Sequence, residues 1–135
     1  MKGFEIPWRL EETILVSSYH TDQTNMSQVD AENIGALIGR SWSSVRKKWQ
    51  NIQGALLEEA KVNGLRFNST RHLHNFSKLD KLVAELMTSN PDLYLRLADI
   101  NLYLYRFEPR NSQADSGWHK LEGSIQKRKK IILVA

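Results

Sequence analysis

The 135-residue sequence contains no cysteine. That excludes disulfides, thiol nucleophiles and every cysteine-based zinc finger. No apolar run approaches the ~18–20 residues of a membrane-crossing helix. The opening MKGFEIPWRLEE lacks the apolar stretch of a secretory signal. These absences predict a soluble intracellular protein with no membrane contact: in the cytoplasm or nucleoid if the source is bacterial or viral, in the nucleus if it is eukaryotic. Enzyme signatures are missing as well. There is no Gly-rich phosphate loop, no HExxH and no nucleophile elbow, and the acidic residues are scattered apart from pairs at helix ends. The chain is expected not to be an enzyme and to need no cofactor. One further absence is local. No Asp or Glu occurs from Asn33 to Leu57, a stretch that holds Arg40, Arg46, Lys47 and Lys48.

What is present is ordinary for a globular chain, with 41% apolar and 25% charged residues. The length fits one domain, or a small module with an extension. Net charge is +4, and the excess is concentrated in Arg40–Lys48 and in Lys127–Lys130. Such asymmetry points toward a polyanion.

Along the chain the helical signals are frequent. Trp8–His20 reads as a first helix, with Glu11 and Glu12 in its first turn, where the helix dipole favours acids. Thr21–Met26 is polar and loop-like. Ser27 opens a second helix with Asp30 three residues on, a capping-box arrangement, and Gly39 stops it. Ser41 caps a third helix, whose Val45, Trp49, Ile52 and Leu56 recur at the spacing of an amphipathic stripe. At about 100° per residue, Ser43, Lys47, Gln50, Asn51 and Gly54 gather on the other side. Arg46 and Lys48 flank that side. It reads either as a base-edge reader with phosphate-reaching cations or as a solvated outer face. Two helices joined by a tight glycine turn, the second basic outside, form a helix-turn-helix pattern.

Trp8 followed by acidic residues, then IGALIGRSWSSVRKKWQNI at Ile34–Ile52, resembles a Myb/SANT-type repeat over roughly residues 7–54. The matching positions are Trp8, Gly39, Arg40, Ser41, Trp49 and Asn51. The resemblance implies a three-helix DNA-binding bundle whose third helix contacts bases at positions matching Ser43, Lys47 and Asn51. Two departures stand out: the family's middle Trp is absent from helix two, and Trp42 occupies the turn. Trp42 is read as a core plug, a wedge or a partner contact.

Past this repeat, the third helix is expected to run to about Ala60, and Leu65–Phe76 to be irregular. His72 and His74 lie there without cysteines or a carboxylate cluster, so no metal site is expected. Ser77 with Asp80 forms a second capping box opening a helix to about Thr88. Asn90-Pro91 restarts a helix through Arg106, with a strand as the alternative for its alternating second half. Its leucines either dock on the first three helices or form a dimer interface, for which Leu93, Leu97, Ile100 and Leu104 are the candidates. Glu108–Ser116 reads as a linker by composition. Lys127, Arg128, Lys129 and Lys130 read as a DNA-phosphate arm or an import signal, followed by a β-prone Ile131–Val134.

The expected architecture is thus all-α: a Myb/SANT-like helix-turn-helix domain over 7–62, a helical extension over 63–107, and a linker with basic tail over 108–135. The leading functional expectation is a sequence-specific duplex-DNA binder, a regulator or architectural factor. Base contacts fall to Ser43, Lys47, Gln50 and Asn51, and phosphate contacts to Arg40, Ser44, Arg46, Lys48 and the basic tail. The alternative is a protein-interaction module or adaptor using Trp42 and the C-terminal helices. Homodimerisation is an expected possibility under either reading.

Overall fold

The computed structural model describes residues 6–63, 77–106 and 111–134, with the side chains of 61–63 and 132–134 left aside. Among these residues it is all helical, with no strand. The helices are α1 (Leu10–Ser18), α2 (Gln28–Ile38), α3 (Trp42–Asn63), α4 (Lys78–Ser89), α5 (Pro91–Tyr105) and α6 (Ser112–Val134).

The local signals act where they stand. The Ser27 hydroxyl accepts from the Asp30 N–H at the start of α2. Gly39 closes α2 in the left-handed region at φ 78°, a conformation that costs glycine nothing because it has no Cβ. At α4 the Ser77–Asp80 capping box is complete in both directions. Asn90 caps α5 with Pro91 in its first turn, and α5 stays helical to Tyr105. The strand alternative for its second half falls away.

α1 is the hub of the fold. Every residue from Glu12 to Ser18 is buried, and α1 packs against α3, α4, α5 and α6. Thr13, Ser17 and Ser18 keep their hydroxyls satisfied by donating to the carbonyls of Arg9, Ile14 and Leu15, so this polar-looking helix enters the core at little cost. The Ser17 hydroxyl also bonds the phenol of Tyr94 on α5 at 2.7 Å. α1 opens at Leu10, with Trp8 ahead of it, partly buried against the core.

The largest departure from expectation is at the C-terminal end. Residues 112–134 form one helix where composition suggests a linker and a tail. Ala114, Trp118, Leu121 and Ile125 are buried at i, i+4, i+7 and i+11, the same spacing that marks α3. Helix periodicity prevailed over the polar composition of 112–116 and the charge run, and the first part of the expected linker, 108–110, lies outside the described residues. Among the described residues the most extensive helix–helix contact is α6 on α2. It is a close one: a Cβ built on Gly117 would lie 2.2 Å from the Asn33 carbonyl oxygen. The Trp118 indole N–H donates to the Leu102 carbonyl at 2.8 Å, tying α6 to α5 as well. The helices after residue 77 thus dock on the first three, and buried residues of all six share one core cluster.

Candidate nucleic-acid interface

The turn between α2 and α3 is built for closeness. Both Gly39 and Arg40 N–H groups donate to the Gly35 carbonyl, at 2.8 and 2.9 Å. A Cβ on Gly35 would lie 2.3 Å from the Arg40 carbonyl oxygen, so the chain can double back here only over a glycine. Ser41 then caps α3, its hydroxyl accepting from the Ser44 N–H at 3.3 Å and donating to the Ser44 hydroxyl at 2.9 Å. This closes the start of α3, whose N-terminal turns carry most of the candidate residues.

On these turns Ser43 and Lys47 are both exposed, one helical turn apart on one face. Ser44 is partly buried. Arg46 is also partly buried: its Nε donates to the Met26 carbonyl at 3.0 Å, and its guanidinium lies 5.0 Å from the Trp42 ring centroid. Trp42 is therefore a half-buried platform for Arg46, packed against the core edge.

The remaining candidates on this helix lie elsewhere. The Gln50 amide donates to Asn25 Oδ1 at 3.1 Å, pinning the α1–α2 loop. Asn51, one helical turn beyond Lys47, is partly buried, and its Oδ1 is buried without a hydrogen-bond partner. Lys48 points inward. It is 7% exposed, and its ammonium pairs with Asp80 at 2.8 Å, where Asp80 is 1% exposed. Arg40 is likewise internal. It forms a two-pronged bond with Glu12, Nε to Oε2 at 3.0 Å and Nη2 to Oε1 at 2.8 Å, and also donates to the Ile6 and Pro7 carbonyls. Trp8 lies against both cations, its ring 4.1 Å from the Arg40 guanidinium and 5.1 Å from the Lys48 ammonium. Burial by itself would raise the Glu12 carboxyl, but the bond from Arg40, the bond from the Arg9 N–H and the two charges outweigh it and hold the group below its usual range.

The basic run of α6 divides by helix face. Arg128 lies on the buried side and donates to the carbonyls of Ser17, Ser18 and Tyr19, capping the C-terminus of α1. Lys129 pairs with Asp99 of α5 at 2.5 Å. Lys127 and Lys130 are exposed. Of the phosphate candidates, then, Arg40, Lys48, Arg128 and Lys129 each hold partners within the chain. No spacing in the sequence links Lys48 to Asp80 or Arg128 to Ser17, because partners so far apart meet only through folding. The face of Arg128 was readable, since it continues the stripe through Leu121 and Ile125.

Leu93, Ile100 and Leu104 are exposed on α5, and Leu97 is partly buried. His72 and His74 lie outside the described residues. Among the described residues, no group of three or more metal-ligating side chains gathers, and no helix is long and apolar enough to cross a membrane. Comparison with known proteins finds no matching family model, no matching curated protein and no matching solved structure.

Proposed function

We propose that the chain binds duplex DNA through the N-terminal half of α3, as a regulatory or architectural factor. The observation that carries this reading is the pair Ser43–Lys47. Both are exposed at the start of a helix delivered by a tight glycine turn, in a stretch without a single acidic residue from Asn33 to Leu57. The first turns of such a helix are the part that enters the major groove in helix-turn-helix proteins. Lys47 is suited to donate to guanine O6 or N7, and Ser43 to bond either base edge. Arg46 and Ser44 beside them suit phosphate oxygens. Gln50 leaves the base-reading set because its amide is held by Asn25, and Asn51 is set aside because its Oδ1 is buried. Arg40 and Lys48 leave the phosphate set because each has a carboxylate of its own. The Myb/SANT resemblance supports the α2–turn–α3 unit of this reading, while α6 on α2 is an addition to it.

A smaller contact set means a shallower salt dependence. Fluorescence anisotropy of a random-sequence duplex should show binding with a log–log salt slope of about −2 to −4, as for a few phosphates. Lys47→Glu should abolish it, and the charge-matched Lys78→Glu should not. Equal binding by wild type and Lys47→Glu would remove this face from consideration. The protein-interaction reading has its own supporting observation, the apolar side chains left exposed on α5. It predicts no duplex binding at low salt.

A further inference from the structure

α3 and α6 are both bonded to one short connection, Tyr19–Met26. From α3, the Trp49 indole N–H donates to the Tyr19 carbonyl at 3.3 Å, Gln50 bonds Asn25, and Arg46 bonds the Met26 carbonyl. From α6, Arg128 donates to that same Tyr19 carbonyl at 3.0 Å, and the Ser124 hydroxyl accepts from the His20 N–H at 3.0 Å. α6 runs antiparallel to α2: Gly117 lies against Asn33, Lys120 is 3.7 Å from Asp30, and Ser124 has already reached His20. Lys127 lies within about 20° of Lys120 on the helix wheel and about 10 Å further along the axis. It therefore stands past the start of α2, beside the connection that Arg46 and Gln50 hold. Lys127 is exposed. Burial acts first on His20, but the charges of Arg128 and Lys127 there outweigh the pull of Asp22, so the field at this point is positive.

We propose that Lys127 is a second phosphate contact for the duplex read by α3. A helix about 10–12 Å across fills a major groove about 12 Å wide, so phosphates at the groove's edge are met by elements beside the helix. The Tyr19–Met26 connection is such an element, and α6 extends it with a cation. The rest of the basic run is otherwise engaged. Arg128 caps α1 and Lys129 pairs with Asp99, while Lys130 lies about 60° further from the α2 side of the wheel. Of the four, Lys127 alone combines exposure with a place beside the connection. A lysine there suits the task, because its ammonium is a point charge that reaches phosphate oxygens without a fixed geometry. Its helix is already packed on the core, so little ordering opposes the contact. A phosphate contact away from the reading helix fixes the register of that helix in the groove and carries no sequence information itself. The inference rests on the α3 reading, since the duplex held at Ser43 and Lys47 supplies the phosphate.

Anisotropy titrations of the full chain on random-sequence duplex, repeated across a range of salt, test it. Lys127→Gln should weaken binding and flatten the log–log salt slope by about 1, as loss of one phosphate contact does. Lys127→Arg should keep the wild-type slope. The weakening should be alike on duplexes of different sequence. Arg96→Gln removes the same charge from an exposed position on α5, a helix packed on α1, α4 and α6. It should bind like wild type, which separates position from net charge. Lys47→Glu reports on the α3 reading by itself. If Lys47→Glu abolishes binding while Lys127→Gln matches wild type, or while Arg96→Gln weakens binding as much as Lys127→Gln, the α6 contact is overturned and the α3 reading stands. If wild type fails to bind, or Lys47→Glu binds equally well, both are overturned.

Discussion

Glu12 and His20 stand at opposite ends of α1, and both are held in the form the fold prefers. His20 is pushed below its ordinary value of 6.5, first by burial and then by the charges of Arg128 and Lys127, against the pull of Asp22. As pH falls the unfolded chain therefore protonates first. The His20 contribution is present in full above about pH 6.5 and is lost as pH drops through the folded value. Glu12, held below 4.5, behaves the same way in a lower window, present above about pH 4.5 and lost beneath it. Urea midpoints should accordingly fall between about pH 7 and 5, and again below about pH 4.5. His20→Gln should flatten the first decline and leave the second. A wild-type midpoint that stays level down to pH 5 would contradict this account. Tyr19, whose phenol bonds Asp30 and is pushed up to about 12 by burial and that carboxylate, stays neutral throughout.

The helix pair α2–α6 turns on a single missing side chain. Gly117 lets α6 approach until a Cβ there would lie 2.2 Å from one backbone atom and 2.6 Å from the next. Neither atom can move without moving α2. Gly117→Ala should therefore destabilise by about 3 kcal/mol, as overpacking against a rigid neighbour does. Gly123, six residues on in the same helix, has nothing within 4 Å of a built Cβ. Gly123→Ala should stabilise by about 0.5–1 kcal/mol through helix propensity alone. Chemical denaturation of the two variants gives opposite signs, a contrast that propensity by itself would not produce.

Taken whole, the molecule depends on its last helix. α6 covers α2, ties into α5 through Trp118, and supplies Arg128 to the C-terminal carbonyls of α1. A chain ending at Arg106 should lose cooperative unfolding, because buried carbonyls and the apolar side of α2 would face water together. Circular dichroism with urea titration checks this: a sharp two-state transition in the shortened chain would show that α1–α5 fold independently. The expectation of a linker and tail after residue 107 predicts that sharp transition, and the packing of α6 predicts its loss.

The sequence determined most of the local structure. Ser27, Gly39, Ser77, Asn90 and Pro91 act through neighbours a few residues away, so their effect is written in the order of residues. The stripes of α3 and α6 are equally local, though in α6 the polar composition of 112–116 and the charge run masked a pattern with the same spacing. Exposure of Ser43 and Lys47 followed from their place opposite the stripe of α3. The fate of the other cations did not follow. Whether Lys48 meets a phosphate or Asp80, and whether Arg40 meets DNA or Glu12, depends on which distant helix arrives beside it. Sequence separation carries no trace of that arrival. Only the tertiary structure decided it, because a partly buried cation takes the carboxylate brought to it rather than remain unpaired out of water.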